Sequence, residues 1–309
     1  MPERLFLFLQ LEFPWELGPP DGRYLLRTRE VQTGGGGRAG ISATEPGAPE
    51  HVVVLNTLGA SRRAGAGAGA RTGRGAIALP GSSRRARRPR ETTPDPAPVS
   101  TTRATIIDPV TVSAERQAQA WLAELDAERE TEAAIAVLNR VLYAHRIAAA
   151  DPHTHEVAPA QALVIRAGWG EGAQLADGHW QHARELPWVS SSRAKRRASA
   201  LRPQERLAEL LGARGQELLC EELALRARLD LDHGRLHHAK IELGAALDAA
   251  LGELGAEANP ALAPRLDELR ALHGGISDAE EPGEEAVRHA LERLEAALRA
   301  RTAGGFTRG

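Results

Sequence analysis

The stretch of sequence that decides the fold is LFLFLQL at residues 5–11. It holds one polar residue in seven, and a continuous apolar run of this kind is typical of a strand covered on both faces. The run follows Glu3 and Arg4 without a cationic lead-in and is too short for a secretory signal, so we interpret it as structure. We therefore predict a buried strand over residues 5–13 and a sheet built around it.

Four further segments have the composition of strands. Turn residues at 18–22, followed by an apolar group at 24–26, predict that residues 1–30 fold as a hairpin. The run HVVVL at 51–55 is rich in β-branched residues, which favour strands. Gly168 and Gly170 indicate a hairpin turn after the last strand. We expect a small mixed sheet from strands near residues 5–13, 23–28, 51–57, 103–107 and 162–167.

Much of the remaining sequence has helical periodicity. Residues 114–149 carry apolar side chains at helical spacing, with a polar interruption between Glu128 and Glu132. From Pro203 onward, leucine stripes recur at spacings of three and four, and glycines separate them. All five Trp precede residue 190, so the cores of the two halves differ in kind.

These patterns predict an α+β fold class. We expect a small mixed β-sheet with a long helical segment in the N-terminal half and an all-α helical-hairpin bundle in the C-terminal half. The predicted domains are an α+β domain over 1–190, a basic linker over 191–202, a helical domain over 203–302 and a flexible tail over 303–309. Low complexity at about 60–101, rich in Gly, Arg and Pro, predicts a disordered insertion in the first domain.

One segment of the C-terminal half has the spacing of a known repeat. A glycine for a turn and small residues for close helix packing are carried by Leu223, Ala227, Gly234, Ala239, Leu243, Ala246 and Leu247. This segment of about 34 residues resembles a tetratricopeptide helical hairpin, which implies a peptide-binding helical array. A small helical bundle is the alternative, because a solenoid normally needs around three stacked units.

Charge is sorted along the chain. Residues 51–104 and 193–202 hold fourteen Arg and one Lys against two acidic residues, a net charge of +13, while the rest carries −15 and the whole chain −2. Because like charges repel, we expect cationic loops on an acidic folded body. Of the 39 basic residues only Lys195 and Lys240 are Lys, a bias that a GC-rich genome also produces.

The basic tracts suggest association with nucleic acid. Several neighbouring guanidinium groups neutralise phosphates in a salt-sensitive and sequence-independent way. No aromatic residue lies between residues 60 and 100, so stacking on bases is not offered there. The expected contacts are Arg84, Arg85, Arg87, Arg88, Arg90, Arg193, Arg196 and Arg197. The alternative is a loop shaped by base composition alone.

A metal site is a further hypothesis, and it rests on DPHTH at residues 151–155. Two His at i and i+2 on an extended segment point to one side, and a carboxylate completes a ligand set of Asp151, His153 and His155. The string resembles the first metal motif of amidohydrolases, which implies a metal-dependent hydrolase. That family needs a (β/α)8 barrel, which the mostly helical sequence around the motif does not provide. A polar loop with exposed His is the alternative.

Other catalytic signatures are missing from the sequence. The two Lys do not fit a P-loop, and the single Cys220 excludes an intramolecular disulfide. No apolar stretch approaches the roughly 18–20 residues needed to span a bilayer. We therefore predict, first, a non-enzymatic cytoplasmic binding or scaffold protein with a protein partner and no cofactor. A nucleic-acid-associated protein and a metal-dependent hydrolase are the alternatives.

Overall fold

A computed structural model describes residues 4–27, 49–59, 100–188, 203–212, 215–257, 262–278 and 283–305. The chain divides into two compact units, Met1–Val189 and Ser190–Gly309. The first unit contains a sheet with helices, and the second contains helices. The α+β fold class is therefore confirmed. Of the insertion predicted at about 60–101, residues 60–99 lie outside the described residues, and so does the predicted basic linker at 191–202.

The sheet of the first unit has six strands. They are β1 (Leu5–Phe13), β2 (Gly22–Leu26), β3 (His51–Leu58), β4 (Thr101–Val112), β5 (Val164–Glu171) and β6 (His182–Glu185). Their order across the sheet is β2-β3-β4-β1-β5-β6, and every neighbouring pair is antiparallel. Five of these strands were predicted and β6 was not.

The apolar run at the start of the chain becomes the most enclosed strand. β1 pairs with β4 on one side and with β5 on the other. Its side chains are buried on both faces, since Leu11 and Phe13 enter one core while Phe8 enters the other. A strand with a core on each face cannot alternate apolar and polar residues, which explains its composition.

Two topological expectations were wrong. The segment 1–30 does not form a hairpin, because β2 pairs with β3 and not with β1. Asp21 directs the chain to that position, since its Oδ1 accepts hydrogen bonds from the backbone N–H and the hydroxyl of Thr57, both at 2.8 Å. The sheet is antiparallel and not mixed. β4 and β5 run in the same direction through a helical connection, but β1 lies between them and pairs with both.

The connection between β4 and β5 covers one face of the sheet with α1 (Glu115–Glu124) and α2 (Ala127–Ala149). The helices separate at Leu125 and Asp126, and the Asp126 carboxylate caps α2 by accepting from the Arg129 N–H. The sequence placed this break between Glu128 and Glu132. Those residues are instead helical, because acidic side chains are favourable in a first turn.

The opposite face is covered by a short helix and a turn. The helix α3 (Gly172–Ala176) follows β5 directly, and its Leu175 packs against Phe8 and Ile107. The predicted turn at Gly168 and Gly170 is wrong, because both residues lie inside β5. A Cβ on Gly168 would lie 2.1 Å from the His182 carbonyl oxygen, so only glycine lets β6 approach.

The second unit is helical in its described part. Its helices are α4 (Pro203–Leu211), α5 (Leu219–Asp232), α6 (Leu236–Ala256), α7 (Ala263–Asp278) and α8 (Glu284–Gly305). The helices α5 and α6 form a hairpin that turns at Gly234, whose φ of +69° suits glycine. The leucine stripes of α6 and α8 form one core, which includes Leu243, Leu247 and Leu294, whereas Leu207 and Leu211 on α4 are exposed. Within the described residues, the helices are too short or too polar to cross a membrane.

Candidate functional site

The three residues of the metal hypothesis lie in one loop after α2. Asp151 accepts hydrogen bonds from the His153 backbone N–H at 2.9 Å and from the Thr154 hydroxyl at 3.0 Å. These two bonds lower the pKa of the Asp151 carboxyl. His153 and His155 are exposed, whereas Thr154 is buried. The carboxylate thus holds the turn in shape.

Metal binding receives no support from this geometry. In the described part of the chain, no group of three or more His, Cys, Asp or Glu is placed to hold a metal ion. The metal site at Asp151, His153 and His155 therefore stays a prediction. The eight arginines expected to contact nucleic acid lie in 84–90 and 193–197, outside the described residues. That hypothesis likewise stays a prediction.

One arginine of the first basic tract has a structural role. Arg103 on β4 and Arg166 on β5 both donate to Oε1 of Glu12, at 3.0 and 2.9 Å. The Trp180 ring lies about 6 Å from both guanidinium groups. This cluster joins three strands to the segment that follows α3, so its charges are already paired.

An open groove lies on the other face, between α1 and the last two strands. We call it the edge groove, and its volume is about 330 Å³. The helix and the strands line it with Glu115, Gln119, Leu122, Ala123, Trp169, His182 and Arg184. Among the described residues, the outer edge of β6 has no neighbouring strand. The groove therefore opens at an edge of the sheet.

Trp169 is the unusual residue of the edge groove. It is 2% exposed, and its indole N–H has no hydrogen-bond partner in the part of the chain that the structure describes. An unpaired buried donor costs about 1–3 kcal/mol, so proteins rarely leave one without a reason. The His182 ring stacks on the indole with centroids 4.5 Å apart. His182 is itself exposed, so a solvent-accessible ring covers one face of the buried indole.

The charged residues of the groove differ in how they are paired. Glu115 Oε1 accepts a hydrogen bond from the Gln119 amide at 3.2 Å. Arg184 is exposed, and no carboxylate of the described residues pairs with it. The groove therefore offers two donors that lack acceptors, the Trp169 indole N–H and the Arg184 guanidinium. A carboxylate is the acceptor that suits such donors, because its hydrogen bonds with a guanidinium group are charge-assisted.

Sequence reasoning missed this groove. Its lining residues come from 115–123, 169 and 182–184, and only the sheet brings them together. The strand β6 reads HARE, which has neither β-branched residues nor an apolar alternation. The sequence feature that could have revealed the groove was Gly168, because a glycine inside a strand often marks the close approach of another backbone.

The fold and the groove together define a sheet-and-helix unit with an open site at its edge. No family model, no curated protein and no solved structure matches this chain. The function must therefore be inferred from the residues themselves.

Proposed function

We propose that this chain is a non-enzymatic cytoplasmic binding protein, and that its edge groove takes an acidic side chain of a protein partner. The observation that carries the proposal is the buried indole N–H of Trp169, which lacks an acceptor within the described residues. A carboxylate seated in the groove would accept from this N–H and from Arg184. Binding would then recover the free energy that the unpaired donor costs.

The openness of the groove favours a protein partner over a small molecule. Five of its seven lining residues are exposed: Glu115, Gln119, Ala123, His182 and Arg184. Small-molecule sites usually bury about 70–90% of the ligand surface, which a groove this open cannot do. A side chain held by a larger partner does not need such enclosure, because contacts elsewhere contribute to affinity.

The apolar part of the groove supports an extended segment with a carboxylate at one position. Leu122 is buried at the groove wall, and Ala123 beside it leaves room for a neighbouring side chain. The edge of β6 supplies backbone groups to which a segment could align. We therefore expect the preferred segment to combine β-branched residues with a central glutamate.

The test uses two blocked, fluorescein-labelled peptides, Ac-Thr-Val-Glu-Val-Thr and the same peptide with Gln in place of Glu. Fluorescence anisotropy with the full chain should show binding of the Glu peptide that is about tenfold tighter, since a charge-assisted bond is roughly twice as strong as a neutral one. The Arg184→Gln variant should remove this preference.

A matched control is Arg146→Gln, because Arg146 is an exposed arginine in the last turn of α2 and does not line the groove. This variant should retain the preference for the Glu peptide. Equal affinity for the two peptides, or an Arg184→Gln variant that behaves like the original protein, would refute the proposal.

A further inference from the structure

A second cavity lies between the sheet and the two long helices of the first unit. We call it the sheet–helix cavity, and its volume is about 120 Å³. Its apolar walls come from β1, β4, α1 and α2, and its polar lining comes from three residues: His51, Asp108 and Glu130. It shares no lining residue with the edge groove.

The cavity lies where the pairing of β1 with β4 is irregular. Phe6 pairs with Thr111 while Phe8 pairs with Ile107, so β4 carries extra residues between these two positions. Asp108 begins this bulge and accepts a hydrogen bond from the Val110 N–H at 2.8 Å. Bulges commonly re-aim side chains near functional sites, and this one aligns Asp108 with the cavity.

The polar groups of the cavity have unused bonding capacity. His51 Nδ1 is buried and has no hydrogen-bond partner in the described residues. Glu130 is half-buried in the first turn of α2, and neither it nor Asp108 is paired with a cation of the described residues. No Arg or Lys lines the cavity. Two carboxylates against one histidine make the cavity negative whatever the state of His51.

The lining combines carboxylates with aromatic and apolar side chains, and this combination suits an organic cation. Throughout the described ranges, no three His, Cys, Asp or Glu are placed to hold a metal together. The wall opposite the strands includes the indole of Trp121, and Ala133, Ala134 and Val137 complete the apolar part. An indole face attracts ammonium groups, and small apolar side chains leave space for an alkyl chain.

We infer that the sheet–helix cavity is a binding site for a small alkylammonium ion. The ammonium group lies beside the indole of Trp121 and donates to Glu130 and Asp108, and the alkyl chain lies against the alanines of α2. His51 Nδ1 supplies a further acceptor when its ring is neutral. Because the two sites share no residue, this inference does not depend on the partner of the edge groove.

The test compares three probes of equal length and different charge: propylammonium, 1-propanol and propionate. The readout is the indole N–H resonance of Trp121 in a ¹⁵N-labelled full chain, assigned with Trp121→Phe. Propylammonium should shift this resonance in a saturable way, with affinity about tenfold higher than that of 1-propanol. Propionate should cause no saturable shift.

Substitutions then separate a charged site from an apolar void. Glu130→Gln keeps the shape of the side chain and should weaken propylammonium binding about fivefold or more. The control Glu128→Gln removes an exposed acid from the same turn of α2 and should leave the affinity unchanged. Each variant is first checked by its circular dichroism spectrum and melting temperature.

Three results would overturn the inference. The first is the absence of a saturable shift with propylammonium. The second is 1-propanol binding as tightly as propylammonium, which would make the cavity an apolar void. The third is a folded Glu130→Gln variant that binds as the original protein does. None of these results bears on the peptide preference of the edge groove.

Discussion

The two units of this chain differ in how far apart in sequence their partners lie. In the helical unit, the core consists of leucine and alanine stripes on successive helices, as in the α5–α6 hairpin. In the sheet unit, β1 pairs with strands about 100 and 160 residues further along the chain. The first arrangement is visible in the sequence as a period, and the second is not.

The buried polar groups of the two units can be compared in the same way. In the helical unit, Arg228 and Glu295 join α5 to α8 at 2.8 Å, and Arg293 joins α8 to Glu268 on α7. In the sheet unit, Trp169 and His51 have buried ring nitrogens that lack partners within the described residues, and each lines a cavity. The helical unit also holds buried atoms that lack partners among the described residues, among them Arg228 Nη2 and Glu242 Oε2. What sets the two ring nitrogens of the sheet unit apart is that their residues line the edge groove and the sheet–helix cavity.

The largest expected effect is a loss of stability in the helical unit alone. Leu247 is fully buried, and Leu247→Ala should lower the free energy of unfolding by about 3 kcal/mol because it leaves a cavity. Urea unfolding followed by circular dichroism at 222 nm measures this loss. The exposed Leu225→Ala is the control and should cost far less. The urea unfolding curve followed by tryptophan fluorescence should not change, since every Trp lies in the sheet unit. An equal loss of stability in the fluorescence and circular dichroism curves would show that the two units unfold together.

The next effect should be confined to the sheet unit. The Asn139 side chain is buried and exchanges two hydrogen bonds with the backbone of Val157, at 2.8 and 2.9 Å. Asn139→Leu leaves that N–H and C=O unpaired and should cost about 2–3 kcal/mol. Urea unfolding monitored by tryptophan fluorescence measures the loss. The control is Asn56→Leu, at a half-buried position of β3. If Asn139→Leu cost less free energy than this control, the structural role of the Asn139–Val157 hydrogen bonds would be contradicted.

A third substitution acts on the edge groove through the backbone. Gly168→Ala places a methyl group against the backbone of His182 and Ala183, and overpacking of this kind costs about 1–3 kcal/mol. The strand β6 should therefore move away from β5, and the preference for the Glu peptide should disappear. Amide hydrogen exchange of residues 182–185 should rise. Unchanged exchange and unchanged peptide preference would show that β6 does not need this glycine.

The smallest effect concerns the start of α5. Glu253 on α6 accepts hydrogen bonds from the N–H groups of Leu219 and Cys220, at 2.9 and 3.0 Å. Burial alone would raise the pKa of Glu253, but the bonds from Cys220 and Leu219 outweigh it and lower the pKa below its ordinary 4.5. Glu253→Gln should cost about 1 kcal/mol at pH 7, as the loss of a helix cap does.

The pH dependence of this cost has a definite sign. A carboxyl with a lowered pKa in the folded state stabilises above its unfolded pKa, and it loses that contribution as the pH falls through the folded value. The difference in unfolding free energy between the original protein and Glu253→Gln should therefore shrink as the pH falls below about 5. Asp248→Asn, an exposed change on the same helix, should show no such trend. A difference that grows as pH falls would contradict the account.

Local patterns predicted most of the fold. The runs at 5–13 and 51–57 became strands at those positions, and the leucine stripes of α6 and α8 became a helical core. The prediction of strand pairing was wrong. The 1–30 segment has the turn residues of a hairpin, but its second strand, β2, pairs with β3. A turn signal fixes a change of direction and not the partner of the strand that follows.

The residues of the two candidate sites could not be predicted from the sequence for the same reason. His51, Asp108 and Glu130 are separated by 57 and 22 residues, and no local spacing links them. The clusters that the sequence did show, such as Asp151 with His153, serve a turn in the structure. Residues close in sequence readily satisfy one another, whereas the unpaired groups of the cavities come from distant strands and helices.

The indole N–H resonance of Trp169 tests the central claim most directly. It is recorded on the ¹⁵N-labelled full chain with and without the Glu peptide, and Trp169→Phe identifies it among the five indole signals. The account predicts the chemical shift of an unbonded N–H in the free protein and a downfield movement on binding that Arg184→Gln abolishes. A resonance already at a hydrogen-bonded position in the free protein, and unmoved by the peptide, would contradict it.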